Sequence, residues 1–225
     1  MKIKVVESPP IDPREFDLPE AFNGENIEDV VEIFNTPLIG HYNWDYTDAD
    51  TRIKKLYELG KKLNWDGSID LDWSKGIKKG QTPIKAELIA RMEGPLAALP
   101  EEERLEYMWH DQAWGLSQFL HGEQGALLVA SQLVSCAPTY QAKLYAASQT
   151  FDEARHVEVF ARYIKEVSGV EYPINKNLKS LLDKILSDPR WDLKFIGMQI
   201  IIEGLALAAF QTTKETSNCA LLRQL

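Results

Sequence analysis

Three stretches of this chain repeat residues at steps of three, four or seven, and each sets an acid among apolar neighbours. Leu116, Leu120, Glu123, Leu127, Ala130 and Val134 form the first stripe. Ala142, Gln149, Glu153, His156, Phe160, Tyr163 and Val167 form the second, and Ile196, Gln199, Glu203, Ala206 and Phe210 the third. Such spacing belongs to helices that bury one face. With strand signals nearly absent, the pattern predicts an all-α fold in which three helices turn carboxylates inward. A buried, unpaired carboxylate is costly, so each of these acids needs a compensating group.

The punctuation of the sequence divides the helices. "TPIKAELIARMEGPLAAL" (82–99) reads as a helix opened by a Thr cap and an early Pro, and interrupted at "GP". Acids crowd the first turn of the element that starts at "PEEERLEY", where the helix dipole favours them, and it is expected to run to about Cys136. Further helices are expected from about Thr139 to Val167, over 175–188, and from Trp191 toward the C-terminus. Before them the chain is broken by "SPP", "DP", "NTP" and "WDGSIDLDWSKG". Only 48–63 there reads as an amphipathic helix, with Ile53, Leu56 and Leu63 on one side. The division is therefore an irregular segment over 1–80 with one short helix, followed by a helical domain over 81–225.

Composition removes several classes of function. The net charge of −9 argues against a nucleic-acid partner. Cys136 and Cys219 have neither zinc-motif spacing nor the density of a secreted scaffold, which favours free thiols in a reducing compartment. The first residues lack the apolar run of a signal peptide, and the apolar stretch 195–210 is shorter than the roughly 20 residues that span a membrane. A cytoplasmic protein without a membrane partner is the expectation.

Glu153 and His156 are three residues apart and so leave a helix on the same face. A hydrogen bond between them would satisfy both, and so would a metal. With Glu123 and Glu203 in neighbouring stripes, divalent iron suits the set of carboxylate and imidazole donors. "EQGALLVA" from Glu123 and "EGLALAAF" from Glu203 form a faint repeat, and Glu153 follows Glu123 by 30 residues. The same interval after Glu203 falls at about position 233, past Leu225, so a second Glu-x-x-His is expected beyond this sequence.

"EQGALL", followed 30 residues later by "DEARH", resembles the ferritin-like di-iron carboxylate superfamily, in its ribonucleotide-reductase-like branch of oxidases and oxygenases. The resemblance covers roughly 100–225 and implies a ferritin-like four-helix bundle, here incomplete at the C-terminus, with "LLRQL" leading into the absent motif. It implies that Glu123, Glu153, His156 and Glu203 are iron ligands and the only catalytic groups. Asp152 would support a metal-bound histidine of the other helix pair, and Arg155 would balance Asp152. In the intact protein the cofactor would be two irons, or a manganese-iron pair, and this chain would carry only part of that site. Dioxygen and a small organic substrate would be the reactants, with an electron donor as partner, and a homodimer is compatible with the family. Glu123 stands where the reductase subunit has Asp, and Phe160 where it has its radical Tyr, which favours an oxidase or oxygenase over a tyrosyl-radical subunit. The alternatives are a non-enzymatic iron-binding or storage protein and a metal-free helical fragment.

Overall fold

Residues 32, 34–36, 38–47 and 51–225 are described by the computed structural model. The chain divides into the units Met1–Asn35 and Thr36–Leu225, and all the helices below belong to the second. The irregular, proline-broken stretch expected at the start lies largely outside the described residues. The described part is helical with no strand, an all-α fold as expected.

The two longest elements set the frame. α1 (Arg52–Lys62), a 3₁₀ turn (Trp73–Lys75) and α2 (Ala86–Ile89) precede α3 (Glu101–Cys136). Glu101, Glu102 and Glu103 occupy the first turn of α3, where their charge meets the unpaired backbone N–H groups. The chain then turns at Ala137 to Thr139, and the Thr139 hydroxyl accepts from the Ala142 N–H at 3.2 Å to cap α4 (Tyr140–Tyr163). α3 and α4 run antiparallel. Lys143 Nζ donates to the carbonyls of Val134 and Ser135 near one end, and Trp109 Nε1 donates to the Ser168 carbonyl at the other.

The last turn of α4 widens into π-helix over Ile164–Ser168 and stops at Gly169, whose φ of 68° is the left-handed cap conformation. α5 (Lys176–Ser187) follows, capped by Asn175, then one continuous helix made of α6 (Trp191–Phe195), a π-helical stretch (Ile196–Ile202) and α7 (Glu203–Thr216). Lys194, fully buried, donates to the carbonyls of Ile185 and Leu186 and so satisfies the end of α5.

Two apolar clusters lie along α3. Ala126, Val129 and Leu133 pack with Leu182, Ile185 and Met198, while Leu116 packs with Phe160, Tyr163 and Leu221. Glu123 lies on α3 between them.

Three expectations are corrected and one is met. Only Ala86–Ile89 of 82–99 is helical, because the backbone at Pro83 to Lys85 is paired instead with Thr216 to Asn218. The amphipathic helix read in 48–63 is present as α1, against α4, and its Ile53 and Leu56 are exposed, as is Leu63 just after it. The π-helical stretch shifts the third stripe, so that Lys194 and Met198 point inward and Ile196 is 43% exposed. "LLRQL" turns back rather than continuing a helix, and Leu221 and Leu222 are buried against α3 and α4. One dimension also differs from the reading by apolar run alone. The helix holding 195–210 extends over Trp191–Thr216, 26 residues with mean hydropathy 1.7 in its most apolar window, long and apolar enough to cross a membrane.

Candidate metal centre

α3 and α4 bring Glu123, Glu153 and His156 together, each offering a ligand atom within 4.8 Å of the others. His156 Nδ1 lies 3.1 Å from Glu123 Oε2 and 3.2 Å from Glu153 Oε2. Atoms bound to one ion at about 2.1 Å stand about 3.0–3.4 Å apart, so this spacing suits a shared metal as well as a shared proton. The two carboxylates are 5–6% exposed and the imidazole is 37% exposed. Helix packing thus fixes the acids more firmly than the ring.

Charge separates the two ways of filling the site. Burial opposes a proton on His156, but hydrogen bonds and charge from Glu123 and Glu153 outweigh it and carry its pKa up to about 10. Burial pushes Glu123 above the usual carboxylate range, with His156 pulling the other way. Without a metal this arrangement favours a proton on His156, shared with the neighbouring acids.

Glu203 stands outside the three-residue group but senses it. Burial, then the negative charges of Glu153 and Glu123, push its carboxyl up to about 7. Gln149 and Gln199, each one helical turn before an acid, meet between α4 and the π-helical stretch, and Gln149 Nε2 also donates to Glu153 Oε1 at 3.2 Å. Glu123 and Glu203 share the wall of an apolar cavity of about 250 Å³, with Gly122, Ala126, Leu178 and Ala206 among its other lining residues. The ring of Phe210 on α7 closes one side, 4.9 Å from Phe119 and 5.7 Å from Phe160.

Asp152 and Arg155 form an ion pair one turn apart on α4. Arg155 does more than balance Asp152. Its Nη1 donates to Asn64 Oδ1 at 2.6 Å and to the Trp65 carbonyl at 2.7 Å, and its guanidinium lies over the Trp65 ring. Trp65 in turn lies beside His156, with ring centroids 6.2 Å apart and planes 20° from parallel. Sequence periodicity could not find Trp65, because it sits in a loop and meets the site only through tertiary contact.

Other titratable groups among the described residues are engaged elsewhere. His110 and His121 turn to the hydroxyl and carbonyl of Tyr172. Asp66, Asp70 and Asp72 accept hydrogen bonds inside their own turns. Tyr163 donates to Cys219 Sγ at 3.3 Å.

Comparison with protein-family profiles, curated proteins and solved structures finds no match for the chain. The fold and the cluster define a helical protein with a Glu-Glu-His group that could hold a metal ion.

Proposed function

We propose that Glu123, Glu153 and His156, with Glu203 across the cavity, hold iron in a ferritin-like helical protein that uses dioxygen to oxidise a small organic substrate. The observation that carries this reading is the convergence of two buried carboxylates and an imidazole from two antiparallel helices on one point. A carboxylate-rich set with one imidazole favours iron over the thiolate-loving metals. Ferritin-like iron sites are built from single glutamates on two helices and Glu-x-x-His on the others. Glu123, Glu203 and the Glu153–His156 pair match three of those four contributions.

The chain's own residues would hold the site ready. Gln149 orients Glu153, and ion binding requires His156 to give up the proton at Nδ1. The cavity beside Glu123 and Glu203 offers an apolar space next to the acids. Bound iron would supply the one-electron chemistry with dioxygen that no side chain here provides.

The test is anaerobic loading with ferrous iron, desalting, elemental analysis, and then dioxygen consumption with and without candidate substrates. Retained iron that is lost in His156→Ala, together with substrate-dependent dioxygen uptake, is the expected result. Iron retained without turnover would leave a storage or binding protein. Iron bound equally by the parent chain and His156→Ala would remove the centre altogether. A second reading rests on the contacts of His156, because a protonated imidazole within 3.1 Å of Glu123 and 3.2 Å of Glu153 can tie α3 to α4 without any metal. In that case the parent chain retains no iron.

A further inference from the structure

We propose that Trp65 is a positioning residue for His156, held in place by a loop clamped to the outer face of α4; this rests on the metal-centre reading above. The need for such a residue follows from the exposures within the cluster. Glu123 and Glu153 are locked by helix packing, whereas His156 keeps more than a third of its side chain open to solvent. An imidazole that binds a metal needs its ring orientation fixed by a neighbour. Both described hydrogen bonds of His156 use Nδ1, so they leave the ring's outer face unsupported. The Trp65 indole, close to parallel with that ring, is the flat surface beside it.

The loop is pinned along successive turns of α4. Arg155 holds Asn64 and the Trp65 carbonyl, and its guanidinium packs 4.7 Å from the Trp65 ring and 5.0 Å from that of Phe151. One turn on, Gly67 meets Val159 so closely that a Cβ at Gly67 would lie 2.5 Å from Val159 Cγ1. Trp73 Nε1 donates to the Gly67 carbonyl at 2.7 Å, and Arg162 stacks 3.9 Å over the Trp73 ring. The chain between α1 and the 3₁₀ turn is thus fastened at residues 155, 159 and 162, and the first fastening sets Trp65 beside His156. Gly67 is required because the backbone touches α4 there.

Cobalt(II) is the probe, since its visible absorption reports coordination independently of turnover. The full chain should bind cobalt with a defined visible band. Trp65→Ala should weaken that binding by about 10-fold, the size expected for loss of a group that orients a ligand, and should alter the band. Trp65→Phe, which keeps a flat ring, should restore both. Gly67→Ala should reproduce the loss by forcing the loop off Val159, and Gly67→Ala with Val159→Ala should recover it. Circular dichroism and urea midpoints of each variant separate these effects from unfolding. Parental affinity and spectrum in Trp65→Ala, or no recovery with Phe, would overturn the role of Trp65 while the metal centre stands. A parent chain that binds no cobalt would overturn the centre and the positioning role together.

Discussion

Without a metal, the folded chain holds protons on His156 and Glu203 more tightly than the unfolded chain does. The folded pKa of His156 is raised from 6.5 to about 10, and that of Glu203 from 4.5 to about 7. Both shifts have the same sign. The folded state binds more protons across these windows, so stability is greatest below them and falls as pH rises through each folded pKa. The urea midpoint of metal-free protein should therefore decline between about pH 5 and about pH 9, and the upper part of the decline should flatten in His156→Gln. A midpoint that climbs over the same range would contradict the proton-sharing geometry. Glu123, Glu153 and His156 were legible in the sequence because helical spacing alone puts them inside stripes. Trp65 and the clamping role of Arg155 were not, because no local period encodes a contact across 90 residues.

Between elements, glycines set how closely the helices approach. A Cβ at Gly125 on α3 would lie 2.6 Å from Leu182 Cδ2 on α5, whereas one at Gly122 would meet nothing within 4 Å. The same substitution should act in opposite directions at the two positions. Gly125→Ala overpacks the contact and should cost about 1–3 kcal/mol, relieved in part when Leu182→Ala is added. Gly122→Ala should stabilise the helix by about 0.5–1 kcal/mol. Chemical denaturation of the three variants and the parent measures both, and equal shifts at the two glycines would refute the packing assigned to α5. The long helices α3 and α4 were readable from caps, acidic first turns and Gly169. The π-helical stretch at Ile196–Ile202 was not, since nothing in its composition marks the change of register that exposes Ile196 and buries Met198. Nor was the pairing of Ile84 with Ser217, which overrides the helical pattern of 82–99.

On the scale of the molecule, the helix Trp191–Thr216 carries a run of exposed apolar side chains among the described residues. Ile200, Leu205 and Leu207 are 58%, 66% and 67% exposed, and α7 buries no residue completely. A patch of this kind drives association. The chain should show a weight-average mass that rises with concentration in sedimentation runs, and Leu205→Lys with Leu207→Lys should lower it. Mass independent of concentration in the parent would show that this face does not bind a second copy.

Cys136 and Cys219 are both free, and they sit in different apolar clusters, 4% and 0% exposed. Each thiol is consequently a clock for the opening of its own region. Cys219 belongs to the segment that folds back after Thr216, while Cys136 ends α3 and packs in the cluster that holds Leu182, Ile185 and Leu186 of α5. A thiol reagent under native conditions should modify both slowly, at rates set by local unfolding rather than by chemistry. If the C-terminal turn opens by itself, Cys219 reacts first; if the helices part as one body, the two thiols react at the same rate.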